Sequence, residues 1–349
     1  MADPWSHFEK DLWMIQETTF GTTPDNSGSW WKPGAAMKLT LPVDVHIDEV
    51  KGPGSRLPYG SRKGGPELKL TLEFDAWGDD GWKSLLRGAM GSNTGPGDDL
   101  PSFSLVKKLK RSGDTDYMML LFSGCKVDNL KLSCDYDGLA PLHVECELLA
   151  QMYQTNEYAI ENALDAYKLV GFQGTAGNPL DIFNAGAEPT DPTTDPLMWH
   201  RNTAKTMNIG GGGAADIEGL LSWGLSVSNN LVPQSGVLTG ADGNSYYTRH
   251  AALHEGDQSI VFEMMQLEPY EDPDTVTSSV LNQYWKAYEQ DTVLTAVVLT
   301  ILDSGDASRT ITLSNGHFHQ PPQVEVLPEG GPAVQGMSAF FEGATLALS

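Results

Sequence analysis

The 349-residue chain carries 22 basic and 46 acidic residues, which gives a net charge of −24. Such a surface excludes proteins that hold nucleic acid by neutralising its phosphates. The length suits two domains of ordinary size, and the many Gly and Pro residues predict strands joined by turns. The polar N-terminus lacks the features of a signal peptide, and no apolar run reaches the roughly 18 residues of a membrane-spanning helix.

Three cysteines, Cys125, Cys134 and Cys146, lie in one stretch of the chain. Their odd number and unpaired spacing argue against a disulfide framework and against a zinc site. We therefore expect buried, reduced thiols on strands, which suit a reducing cytoplasm. No cofactor and no metal is expected.

The first part of the chain begins with an aromatic-rich segment and continues with strand patterns. Residues 1–40 predict an extended N-terminal arm that packs against another surface. Residues 66–75 alternate apolar and polar residues, which is typical of a half-buried strand. The core-facing residues of this strand are Leu68, Leu70, Leu72 and Phe74. A short helix capped by Asp79 or Asp80 follows, and further strands complete a first β domain over residues 41–150.

Residues 151–216 interrupt this pattern and predict an inter-domain connection. A helix is expected near residues 156–168, followed by an acidic loop at residues 185–196. Two carboxylates of this loop, Asp191 and Asp195, could touch a calcium ion, although a solvated loop is the favoured interpretation. The glycines at 210–213 are not followed by the Gly-Lys-Ser/Thr of a phosphate-binding loop.

The pattern of the first domain recurs over residues 217–349. Ile260, Phe262 and Met264 occupy the places of Leu70, Leu72 and Phe74 in a matching strand. A capped helix follows in which Trp285-Lys286 repeats Trp82-Lys83, and later Gly316 repeats Gly124. The fold class is therefore mainly β, with two tandem β-barrel or sandwich domains that each carry a short flanking α-helix.

Two histidine pairs are the best enzyme-like signals. His317-x-His319 could share a metal on a strand, but no third ligand follows at a suitable distance and two prolines end the strand. His250 and His254 have helical metal-site spacing, but Ala251 stands where the zinc protease pattern needs Glu. We therefore expect no catalytic residues.

One stretch is basic against the acidic trend. Residues 51–66 contain no acidic residue and are too long for an ordinary hairpin turn. Complementary charge would orient self-association in so acidic a protein, which predicts a docking loop. Its residues are Lys51, Arg56, Tyr59, Arg62 and Lys63. The alternative is a flexible surface loop.

Four segments resemble the tail tube proteins of siphophages, which are phages with long non-contractile tails. Glu17–Pro24 (ETTFGTTP) resembles the opening of these proteins, and Leu121–Leu132 resembles the glycine-initiated strand of their first half. Leu221–Leu231 resembles the strand ending in paired asparagines that opens the second half. Phe340–Ala344 resembles a C-terminal segment of the family.

This resemblance implies a structural virion protein whose rings stack into a tube, with strands joining around the lumen into one continuous barrel. A duplicated chain implies trimeric rings with pseudo-sixfold symmetry, and residues 51–66 are the candidate loop that reaches the adjacent ring. The implied partners are other copies of the chain, the tape measure protein, a tail terminator and distal tail or baseplate proteins. Double-stranded DNA would pass through an acidic lumen without specific binding, and assembly would take place in the host cytoplasm.

Two alternatives remain at this point. The chain could be another tail component with related β domains, such as a terminator or a baseplate or distal tail protein. More distantly, it could be a β-sandwich metal-binding enzyme or a carbohydrate-binding module.

Overall fold

The computed structural model is mainly β, as the sequence predicts, with two helices among the described residues. The described residues are 5–6, 12–24, 30–40, 43–50, 60–76, 81–91, 100–111, 117–135, 141–157, 205–217, 219–239, 245–267, 280–302, 308–325 and 334–348. We call the part from β2 to β9 the first half and the part from β10 to β19 the second half.

The elements up to β9 are β1 (Trp5–Ser6), β2 (Leu12–Gln16), β3 (Ala35–Thr40), β4 (Val43–Val50), β5 (Gly60–Asp75), α1 (Gly81–Met90), β6 (Phe103–Arg111), β7 (Tyr117–Asp135), β8 (His143–Leu149) and β9 (Met152–Glu157). The elements of the second half are β10 (Lys205–Ile209), β11 (Ala214–Asp216), β12 (Leu220–Ser228), β13 (Val232–Thr239), β14 (Ser245–His254), β15 (Ser259–Leu267), α2 (Val280–Glu289), β16 (Leu294–Leu302), β17 (Ser308–Phe318), β18 (Gln323–Glu325) and β19 (Val334–Leu348).

The two halves repeat one order of antiparallel pairings. In the first half β6 pairs with β7, β7 with β8, β8 with β5 and β5 with β3. In the second half β16 pairs with β17, β17 with β19, β19 with β15 and β15 with β12. A helix follows β5 in one half and β15 in the other, so each half is the same supersecondary unit.

The structure refines two of the matches drawn from the sequence. The left-handed residue within the matching strands β7 and β17 is Gly124 (φ 63°) in the first half and Asn315 (φ 57°) in the second, so Gly316 is not the counterpart of Gly124. Asn tolerates this backbone region better than most residues. Trp82 is the second residue of α1 and is fully buried, whereas Trp285 is the sixth residue of α2 and is 37% exposed. These two tryptophans therefore do not occupy equivalent places.

The hydrophobic core spans both halves. Leu70, Leu72 and Phe74 of β5 are almost fully buried in it, as are Ile260 and Phe262 of β15. Leu68 packs against the same core from a partly buried position. The sheet alternation therefore directs one face of each strand into the core and leaves the other face accessible.

The three cysteines are free and buried. Burial raises the pKa of Cys134 to about 12, and it raises the pKa of Cys125 and Cys146 as well. Glu17 and Cys146 add to the effect at Cys125, whereas Lys205 opposes it at Cys134. All three thiols are therefore protonated at neutral pH.

Parts of the connection expected at 151–216 belong to the sheets instead. β9 pairs with β7, and β10 pairs with β16, so residues 152–157 and 205–209 extend the two halves. The first two residues of the helix expected near 156–168 belong to β9, and the rest of that stretch lies outside the described residues. The acidic loop expected at 185–196 also lies outside them. Similarly, residues 12–16 and 35–40 of the expected arm are paired strands.

Candidate assembly surfaces

The two halves join edge to edge in a single sheet. β12 pairs with β7 from Ser222 opposite Asp135 to Ser228 opposite Asn129. This pairing, which we call the intrachain seam, places the strands in the order β3-β5-β8-β7-β12-β15-β19. Backbone hydrogen bonding thus runs without interruption from one half to the other.

Asn229 closes the end of the intrachain seam. Its side chain is 2% exposed and donates from Nδ2 to the carbonyl oxygens of Ala89 and Val127, both at 2.9 Å. The Nε2 of Gln258 donates to Asn229 Oδ1 at 2.9 Å and also to the Ala89 oxygen. Because Ala89 lies in the last turn of α1, this network satisfies a helix-terminal carbonyl of the first half with groups of the second.

A small apolar cluster also bridges the halves, and we call it the bridging cluster. Leu100 and Leu149 of the first half meet Leu231 and Leu253 of the second, with Phe20 against them. Beside the cluster, Lys126 Nζ lies 3.0 Å from the Oε1 of Glu255, which also accepts a hydrogen bond from the Leu100 amide. Leu231 directly precedes β13 and Leu253 lies near the end of β14, so the base of the β13–β14 hairpin rests on the first half.

Glu17 is a residue whose role the sequence motif did not reveal. Its buried carboxylate accepts hydrogen bonds from the hydroxyls of Ser102 and Ser104 and from the amides of Gly21 and Gly124. The sequence motif ETTFGTTP is thus a loop held to the first sheet by one carboxylate. Position 124 requires glycine for two reasons. The φ of Gly124 is positive, and a Cβ atom added there would lie 2.5 Å from the Cβ atom of Gln151.

Several strands have a single partner within the described part of the chain, and two of them, β3 and β18, lie at the two ends of the sheet that crosses the intrachain seam. There β3 pairs only with β5, and β18 pairs only with β19. β3 occupies in the first half the place that β12 holds in the second, because each is the next strand beyond β5 or β15. β18 corresponds to the C-terminal part of β7, which receives β12 in the intrachain seam.

The accessible face of the sheet is polar and mainly acidic, and we call it the polar face. Its charged residues are Lys38, Lys69, Glu73, Asp75, Lys131, Asp135, Glu145, Glu147, Glu263 and Glu342. Grooves of about 520 Å³ and 250 Å³ lie on this face, over β7, β8, β12 and β15. Residues of the polar face border both grooves, with Lys131 and Glu263 at the larger one and Glu145 and Glu147 at the smaller one.

Ion pairs hold part of this charge in place. Lys38 lies 2.8 Å from Glu73, and Lys69 lies 2.8 Å from Glu147. Partial burial alone would raise the pKa of Glu147, but hydrogen bonds from Lys69 and Asn129 outweigh it and lower that pKa. The Glu147 carboxylate is consequently ionised at neutral pH.

The expected docking loop is partly a strand. Arg62 and Lys63 belong to β5, where they lie opposite Asp48 and Ile47 of β4. Lys51, Arg56 and Tyr59 lie outside the described residues. Residues 60–66 of the expected loop are therefore part of β5.

The histidine pairs do not form a metal cluster within the part of the chain that the structure describes. The Nδ1 of His317 lies 3.0 Å from a carboxylate oxygen of Asp291, and His319 stacks on Phe340 with ring centroids 4.3 Å apart. His250 and His254 lie on β14 rather than on a helix. No helix of the described residues is long and apolar enough to cross a membrane.

The described strands thus form an antiparallel sheet that continues from one repeated unit into the next, which defines a mainly β protein built from two similar halves. A family model described as phage tail tube protein matches residues 9–260. The chain belongs to this family, which is structural rather than enzymatic, and is thus a component of a phage tail.

Solved structures with some likeness come from contractile injection systems. They include the anti-feeding prophage baseplate (12% identity, TM-score 0.26), which covers 41% of this chain and 90% of that one. The anti-feeding prophage cap (11%, 0.22; 42% and 90%) and a sheath/tube terminator of an extracellular contractile injection system (15%, 0.21; 42% and 94%) are similar. These likenesses are too weak to support statements about this chain. No curated protein matches it.

Proposed function

We propose that the chain is the major tail tube protein of a siphophage and that it assembles into stacked rings of three chains. The observation that carries this proposal is the intrachain seam, in which a strand of the second half pairs with a strand of the first. If the pairing of the intrachain seam is repeated between chains, β3 of a neighbouring copy lies against the open edge of β18. Three chains then supply six similar halves, which gives a pseudo-sixfold ring.

Ring closure accounts for both open edges. Unpaired edge strands invite uncontrolled pairing with other chains, and closure of a ring removes them. The interface is heterologous, since the β3 edge of one copy meets the β18 edge of another, and such interfaces form rings when the rotation closes. A closed set of β strands around the channel is a barrel.

The polar face lines the channel in this arrangement, because the opposite face of the sheet is buried in the hydrophobic core. Its acidic residues repel the phosphates of passing DNA over about 10 Å at 0.1 M salt. DNA then moves through the tube during ejection without binding to the wall. The basic tip of the β4–β5 hairpin, with Lys51, Arg56 and Tyr59, reaches the adjacent ring and docks there by complementary charge.

The other partners follow from the same role. The tube would enclose the tape measure protein, carry a terminator at the head end, and join distal tail or baseplate proteins at the other, after assembly in the host cytoplasm. Electron micrographs and native mass spectrometry of the purified protein test the proposal. Stacked rings of three 37.8 kDa chains are expected. Closed rings that do not stack would favour a terminator or baseplate component, and a monomer at every concentration would refute self-assembly.

A further inference from the structure

The second half exposes the aromatic side chain of Phe340 at a position where the first half has a buried residue. Phe340 on β19 is 45% exposed and lies directly opposite His317 on β17. It is flanked by His319, which stacks on it, and by Asp291, which pairs with His317. We call these four residues the Phe340 patch.

The Phe340 patch corresponds to the bridging cluster of the first half. Lys126 follows the left-handed Gly124 by two positions and lies opposite Leu149. His317 follows the left-handed Asn315 by two positions and lies opposite Phe340. Phe340 is therefore the counterpart of Leu149.

A third position supports this match. Leu100 of the bridging cluster lies three residues before β6, and Asp291 of the Phe340 patch lies three residues before β16. β6 and β16 occupy equivalent places, because each pairs with the strand that carries the left-handed residue. The two sites thus share three marker positions on three separate segments of the chain.

The occupant of the first site indicates the occupant of the second. In the bridging cluster, Leu149 is covered by Leu231 and Leu253, which lie at the base of the β13–β14 hairpin of the second half. The equivalent hairpin of the first half is β4–β5, since it follows β3 as β13–β14 follows β12. In the proposed ring, the neighbour that comes after the second half of one chain is the first half of another copy.

We propose that the Phe340 patch is the site on which the base of the β4–β5 hairpin of an adjacent copy docks within the same ring. This inference rests on the proposed ring and adds a second contact to it. The neighbouring copy is held both by edge pairing at β18 and by its hairpin on the patch. Phe340 acts as the apolar anchor of this contact.

Site-specific photo-crosslinking tests this contact in assembled particles. Phe340→p-benzoylphenylalanine is prepared in two isotopic forms, which are mixed and assembled, and the particles are irradiated and digested for mass spectrometry. We expect crosslinks between chains of different isotope that map to residues 43–50 or 60–68. Trp285→p-benzoylphenylalanine, at a similarly exposed residue of α2, is the matched control and should not yield those crosslinks.

The outcomes separate this inference from the proposed function. If rings form but position 340 crosslinks only to other segments, or only within its own chain, the hairpin contact is refuted while the ring stands. If micrographs of the unmodified protein show no rings, the proposed function fails and the inference fails with it.

A substitution provides a second measurement. Phe340→Ser should raise the protein concentration needed for assembly about tenfold or more, as expected when an interface anchor is removed. Met265→Ser, at a residue of the polar face that is 38% exposed, is the control and should change that concentration less than threefold. The melting temperature of the unassembled chain should be the same for both variants. Equal effects of the two substitutions on assembly would overturn the anchor role.

Discussion

Replacement of Asn229 by Ala should destabilise the joint between the two halves by about 2–4 kcal/mol. The substitution removes two donated hydrogen bonds and one accepted hydrogen bond, all at 2.9 Å in a buried site. Each such bond contributes about 1 kcal/mol net, which gives about 3 kcal/mol in total. The Val127 carbonyl oxygen loses this donor, which adds to the loss, whereas the Ala89 oxygen keeps its hydrogen bond from Gln258. Any water that enters reduces the loss.

Urea unfolding followed by tryptophan fluorescence measures this loss. The midpoint should fall without a large change in slope, because the surface exposed on unfolding is the same. Asn229→Asp should be worse than Asn229→Ala at pH 7, since a carboxylate cannot donate and would face two carbonyl oxygens. Asn315→Gly is the control: Asn315 is exposed with φ 57°, so the change should stay within about 0.5 kcal/mol. A loss below about 1 kcal/mol for Asn229→Ala would refute the assigned role.

Three further predictions concern charge and packing. Burial lowers the pKa of Lys205 to about 8, so Lys205→Met should stabilise the protein by up to about 3 kcal/mol at pH 7. This gain should shrink to about 1 kcal/mol or less at pH 10. Between the folded-state pKa of about 8 and the ordinary lysine pKa of 10.5, the unfolded chain binds more protons than the folded protein, so the stability of the wild type rises with pH. Leu72→Ala should cost about 2–5 kcal/mol in urea unfolding, since Leu72 is fully buried. Assembled tubes with Glu145→Lys and Glu263→Lys should retain short duplex DNA at low salt, as measured by fluorescence anisotropy.

Each of these predictions has a control and a contrary result. A pH-independent effect of Lys205→Met would contradict the lowered pKa. Thr71→Ala, on the accessible side of β5, should cost less than about 1 kcal/mol. If Leu72→Ala cost as little as Thr71→Ala, the two faces of β5 would be wrongly assigned. Glu289→Lys on α2 is the control for DNA retention, and equal retention by both charge variants would refute the lumen assignment of the polar face.

The strands that carry a clear period of two were accessible to sequence reasoning. The 66–75 pattern led to the correct buried face because Leu70, Leu72 and Phe74 alternate with polar residues. The short helix after Asp80 was equally clear, since its apolar residues share one face. Local sequence determines such elements because each side chain faces either the core or the solvent.

The joint between the halves was not accessible in the same way. The pairing of β12 with β7 joins residues about 90 positions apart, and no local pattern encodes that partner choice. The paired asparagines were noted only as a resemblance, although Asn229 forms a network with Ala89, Val127 and Gln258. The Gly316 match was wrong by one residue because Asn315 takes the left-handed backbone, and Gly alone was expected there.

The intrachain seam has a consequence for how often copies must meet. In a ring of three chains, half of the seams are already formed within single chains when those chains fold. Closing the ring then takes two associations between molecules, whereas six single-unit subunits would need five. Each association costs an estimated 4–15 kcal/mol of translational and rotational freedom. The covalent link between the halves thus lowers the concentration at which a ring can nucleate, without any change in the contacts around it.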